Sequence, residues 1–198
     1  MRAGGRAWYG PSVPRILSAD DFQRLTRPLV GQRVSRAYRG GGTALLLDFG
    51  ELVPVGSRKE LVLSSGRVLP ARTFVAGPWS VMIPWDWRVE GPRSILFGSQ
   101  SPDRRMERGI AGLVGAEVSD VTLALRVPEL RLAFADGRAV QAFAALDTQP
   151  QWALFHPPPG EDGHEQWICV RRGRLALETQ EEAVAAREAR TERRTRPT

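Results

Sequence analysis

The sequence predicts a β-rich α+β domain made of two copies of one unit. Each copy is a helix followed by an antiparallel meander, and the halves pack about a pseudo-twofold axis. Three observations predict this. "LVGQRVS" at residues 29–35 returns as "LVGAEVS" at 113–119, with five of seven positions identical. A helix-start signal precedes each phrase. Strand-like alternation and Gly-containing turns follow each phrase in the same order.

Residues 1–17 are rich in Gly, Pro and Arg and are expected to be a flexible basic arm. The first copy spans 18–100. "SADDFQRLTRP" opens it with Ser18 as an N-cap, Asp20 and Asp21 in the first turn, and Pro28 as the stop. "RGGG" (39–42) is the expected hairpin bend before "ALLLDFGE" (44–51). "SSGR" (64–67) is the expected next turn, delayed by an inserted "LVPVGSRKE".

The second copy spans 101–178. "SPDRRMERGIAG" repeats the helix start, with Pro102 suited to the first helical position. Val121, Leu123, Leu125 and Val127 alternate with Thr122, Ala124 and Arg126, a strand pattern. Leu130, Leu132 and Phe134 form another. "ADGR" (135–138) is a tight turn and "AVQAF" (139–143) the return strand. "GPWSVMIP" (77–84) aligns with "QPQWALFHP" (149–157), and Trp87 with Trp167. The tail 179–198 carries only Ala and Val184 as apolar residues and is expected to be frayed or disordered.

The stretch "PWSVMIPWDWRVE" puts Trp79, Val81, Ile83, Trp85, Trp87 and Val89 in one alternating set. It reads as one long strand bent at Pro84, because proline cannot donate to a ladder. Its apolar face is expected in the core, with Trp85 beside the bend as the ring left partly open.

A Trp strand, then W-R, a helix, L-x-G, L-x-F-x-D-G and W-x-L is carried here by Trp79, Trp87, Arg88, Leu113, Gly115, Leu132, Phe134, Asp136, Gly137, Trp152 and Leu154. This order resembles a group of small bacterial proteins with no known activity, over residues 79–175. The resemblance implies a fold and supplies no catalytic residue.

The net charge of +6 is unevenly placed. Residues 1–40 hold eight Arg and two Asp, residues 41–178 hold 15 basic and 16 acidic side chains, and the tail holds five Arg and four Glu. The body is therefore close to neutral, which weakens nucleic-acid binding to an alternative that would use the basic N-terminal region. No apolar run is long enough for a membrane span and the first 15 residues lack the apolar stretch of a secretory signal, so a cytoplasmic location is expected.

Catalytic signals are absent. Cys169 lies in "WICVR", a strand. Neither a Gly-x-Ser-x-Gly elbow nor a phosphate loop occurs. "HPPPGEDGHEQW" gathers His156, Glu161, Asp162, His164 and Glu165, yet it lacks helical spacing for metal ligands and reads as a solvated loop. The expectation is a non-enzyme without catalytic residues, metal or cofactor. The expected role is that of a protein-binding module, an immunity- or antitoxin-like inhibitor or an adaptor. The expected contacts are Pro84, Trp85 and Asp86 together with His156, Pro157, Pro158, Pro159, Glu161 and Asp162. Small-ligand binding between the halves is a further alternative.

Overall fold

Ser18 caps the first helix as its type and place predict. The computed structural model describes residues 14–58, 60–62, 66, 68–124, 127–143, 150–156, 166–171, 173–179 and 182. Strand β1 (Arg15–Ile16) leads into α1 (Ala19–Thr26). The Ser18 hydroxyl accepts from the Asp21 N–H, and the Asp21 carboxylate accepts from the Ser18 N–H, both at 3.1 Å. This reciprocal box satisfies two otherwise orphaned donors. Phe22 is buried, and Pro28 lies in the 3-10 turn Arg27–Leu29 that ends the helix. Helix α2 (Asp103–Ala111) starts differently from the expectation: Pro102 is its N-cap and makes no side-chain bond there. The Ser101 hydroxyl instead accepts from the Gly98 N–H at 3.0 Å.

The first half supplies β2 (Val34–Arg39), β3 (Leu45–Phe49), β4 (Val53–Arg58), β5 (Leu61–Val62), β6 (Val68–Leu69), β7 (Arg72–Ala76), β8 (Trp79–Ile83), β9 (Trp87–Glu90) and β10 (Ile95–Gly98). The second half supplies β11 (Val118–Leu123), β12 (Leu130–Phe134), β13 (Ala139–Ala142), β14 (Ala153–His156), β15 (Gln166–Arg171) and β16 (Arg174–Thr179). One sheet runs β1-β16-β15-β14-β8-β3-β2 and the other β10-β9-β13-β12-β11. All their pairings are antiparallel. The molecule is thus α+β and β-rich, with one core shared by both sheets and both helices.

The halves do not each form a sheet of their own. β2, β3 and β8 lie in the larger sheet while β9 and β10 lie in the smaller. β11, β12 and β13 lie in the smaller while β14, β15 and β16 lie in the larger. β8 pairs with β14, and β13 pairs with β9. Consequently "PWSVMIPWDWRVE" is two strands, not one bent strand. Pro84, Trp85 and Asp86 carry the chain from one sheet to the other. The alternation survives the corner because both sheets turn their apolar sides to the same core. Trp79, Val81, Ile83, Trp87 and Val89 are all buried, and so are Trp152, Phe49 and Phe134.

The repeated phrase pairs with its other copy. The Gly31 N–H donates to the Val118 carbonyl and the Gly115 N–H to the Val34 carbonyl, both at 2.8 Å. The Val34 N–H donates to Ala116 and the Val118 N–H to Gln32, both at 2.9 Å. Arg33 and Glu117 face each other in an antiparallel bridge and form an ion pair at 2.6 Å. These contacts link the starts of the outer strands β2 and β11, so a short bridge ties the two sheets together there. Gly31 and Gly115 have φ of +87° and +85°, a region where a side chain is strained.

The bend expected at 39–42 is present, with the Gly40 N–H donating to the Ala44 carbonyl. Of the turn expected at 64–67, only Gly66 is among the described residues. β11 ends at Leu123, short of the Val127 expected. Within the segment expected to be flexible, Arg15 and Ile16 pair with Leu177 and Ala176 of β16. Residues 1–13 and most of the tail lie outside the described residues. No helix among the described residues is long and apolar enough to cross a membrane.

Candidate functional site

β3 and β8 are neighbours in the larger sheet, yet residues 50–78 separate them. β12 and β13 are joined by Ala135, Asp136, Gly137 and Arg138 alone. The long excursion is a two-stranded ribbon in which β4 pairs with β7, with the short β5–β6 pair beyond it. On this ribbon Val53, Val55 (61 % exposed), Val68 and Phe74 are exposed. An isolated two-stranded ribbon is marginal in water. Four large apolar side chains held out on such an element stand apart from the buried apolar faces of the two sheets.

The ribbon is fastened at its root. The Gly50 N–H donates to the Arg33 carbonyl at 3.2 Å, and the Ser35 hydroxyl donates to the Gly50 carbonyl. Gly77 lies so close to Phe49 that a Cβ there would come within 2.2 Å of the Phe49 carbonyl oxygen, so no larger residue fits without a backbone shift. Arg36 is the main tie. Its Nε donates to Asp48 Oδ2 and its Nη2 to the Val75 carbonyl, both at 2.6 Å, while its guanidinium lies 4.6 Å from the Tyr38 ring centroid. Asp48 is buried and also accepts from the Ser80 hydroxyl. One side chain therefore links β2, β3 and the ribbon.

Placement of the sequence-predicted contacts is uneven. Trp85 is 42 % exposed at the corner between β8 and β9. Pro84 and Asp86 flank it, and the Asp86 carbonyl accepts from the Phe143 N–H. His156 lies at the other end of β8, with its ring centroid 5.8 Å from that of Trp79. The corner at 84–86 and His156 therefore lie at opposite ends of β8. His156 instead lies at the end where the ribbon leaves and re-enters. Pro157, Pro158, Pro159, Glu161, Asp162, His164 and Glu165 lie outside the described residues.

The insertion is legible in the sequence, and its placement outside both sheets is decided by the β4–β7 pairing. The available signal was "LVPVGSRKE", a strand pattern with no partner pattern in the second copy.

Cys169 cannot serve as a ready nucleophile. Burial pushes its thiol up to about 12, and the neighbouring Glu178 carboxylate adds to that shift. Glu178 is itself held by both Arg171 Nε and Arg171 Nη2. Among the described residues, no group of three or more His, Cys, Asp and Glu is placed to hold a metal ion. Comparison with known proteins found no matching family model, no similar curated protein and no similar solved structure.

Proposed function

We propose that this chain is an internally duplicated, non-catalytic protein-binding module that holds its ribbon out to a partner protein. The observation that carries the reading is the exposed apolar ribbon at 50–78, in a place where the other half has a tight turn. Apolar side chains rimmed by polar residues are the usual composition of a protein contact. An inhibitor or adaptor needs such a surface and a rigid frame behind it, and it needs no reacting group.

The duplication is supported by the way one half's contacts answer the other's. The β8–β14 pairing answers the β13–β9 pairing. The bulge between Val34 and Arg36 answers the one between Val118 and Asp120. The Trp87 indole donates to the Thr43 carbonyl and the Trp152 indole to the Pro128 carbonyl, both at 2.7 Å. Within this reading Trp87 corresponds to Trp152, and the alignment with Trp167 is replaced. An apolar set that recurs along every strand carries no such register, and the indole bonds favour this one.

The test replaces residues 50–78 with the Ala-Asp-Gly that joins Phe134 to Arg138. Intact protein should capture a specific partner from its native host. The trimmed protein should fold and lose that capture, and Trp85→Ala should retain it. Capture unaffected by trimming would overturn the ribbon as the contact. Salt-sensitive retention on DNA or RNA, lost on deleting residues 1–17, would favour the nucleic-acid alternative.

A further inference from the structure

A second surface lies on α2. Phe97, Pro102, Arg104, Arg105, Arg108 and Gly109 line a groove of about 430 Å³. Phe97 is buried edge-on against Trp87, with ring centroids 5.9 Å apart. Its ring comes so close to Gly109 that a Cβ there would lie 2.5 Å from it, so the groove floor depends on that glycine. Arg105 donates to the Leu96 carbonyl. Among the described residues, the guanidinium groups of Arg104 and Arg108 make no ion pair or hydrogen bond.

Two of these charges, Arg104 and Arg105, oppose the local physics of a helix, while Asp103 in the first turn and Arg108 in the last follow it. Cations in the first turn face the positive end of the helix dipole. Arg104 and Arg108 are also spaced i, i+4, where like charges repel. In the duplication proposed above, Arg104 and Arg105 correspond to Asp20 and Asp21 of α1, the types that favour a helix start. Gly109 corresponds to Leu25, a residue packed against the core. One helix is built for stability, and its counterpart departs from the same rules at three neighbouring positions. Departures of this kind are found at functional sites, where the rest of the fold supplies the stability they cost.

We infer that this groove takes an acidic segment of a protein partner, with carboxylates seated on Arg104, Arg105 and Arg108. The proposal rests on the protein-binding reading for the class of its occupant, and on nothing in the ribbon. Guanidinium groups match carboxylates in paired, charge-assisted bonds. The Phe97 and Pro102 lining suits an apolar side chain next to them. A nucleic-acid backbone fits less well, because it needs a continuing track of cations and residues 41–178 carry 15 basic against 16 acidic side chains.

The test is fluorescence anisotropy of the full chain with labelled oligoglutamate, oligoglutamine and oligothymidylate at low salt. Oligoglutamate should bind and oligoglutamine should not. Arg104→Asp and Arg108→Ala should each weaken oligoglutamate binding by about tenfold or more, the effect of losing a charged hydrogen bond. Arg104→Asp should leave the melting midpoint unchanged or higher, since aspartate suits a first turn. The ribbon-trimmed chain should still bind oligoglutamate, which separates failure of the ribbon reading from failure of this one. Oligoglutamate binding indifferent to both substitutions, or oligothymidylate binding more tightly and lost with them, would overturn the proposal.

Discussion

At the scale of single residues, the buried tryptophans show how a large apolar side chain and one polar atom are accommodated together. Trp87 is 2 % exposed and its side chain's only donor, the indole N–H, goes to the Thr43 carbonyl. Trp87→Ala should therefore destabilise the fold by about 3–5 kcal/mol, the range for aromatic truncation in a core, as read by chemical denaturation. An unchanged midpoint would mean that the ring contributes little packing. Glu90 makes a separate point about charge. Hydrogen bonds from Arg131 and then Arg88 hold its carboxyl below its ordinary value of 4.5. A folded-state pKa below the unfolded one contributes stability that is present above the unfolded pKa. That stability is lost as pH falls through the folded value. Glu90→Gln should thus lower stability at neutral pH and flatten its decline below pH 4.5, measured by urea titrations across that window. An unaltered acid limb would assign the acid sensitivity to other carboxylates.

At the scale of elements, the ribbon and its root belong to different regimes. The root is over-determined by Arg36, Asp48, Ser80 and the Gly77 approach to Phe49. The ribbon beyond it contributes little to the core, since Val53, Val55 and Phe74 are exposed. That division is why trimming residues 50–78 should abolish partner capture and still leave a cooperative melt close to that of the intact chain. A collapsed melt would show that the ribbon is part of the folding unit. The helices divide similarly. α1 is legible from Ser18 to Pro28 because capping chemistry is local. The α2 start is less legible, because Ser101 meets its hydrogen-bonding need across a turn to Gly98 rather than in the helix.

At the scale of the whole molecule, the two copies of the repeated phrase meet each other and join the sheet edges. The φ of Gly31 and Gly115 lies in the same left-handed region, and a Cβ at either would have nothing within 4 Å. Gly31→Ala and Gly115→Ala should therefore each cost about 1–2 kcal/mol, from conformation alone, and by similar amounts. Clearly unequal losses in equilibrium unfolding would count against equivalent roles in a duplicated frame. The sequence by itself determined the β-rich α+β class, the first helix with its cap, the turn at 135–138 and the apolar sets that became the core. All of these follow from short-range spacing and from capping or turn chemistry, which act within a few residues. Only the tertiary structure decided which sheet each strand joins. It also placed the break at Pro84 between sheets and His156 and Trp85 at opposite ends, and it left the ribbon at 50–78 outside both sheets. Period-two alternation is identical on either side of a corner and in either sheet, so it carries no information about strand partners. Those are set by hydrogen bonds between residues far apart in the chain, such as Gly31 to Val118 and Gly115 to Val34.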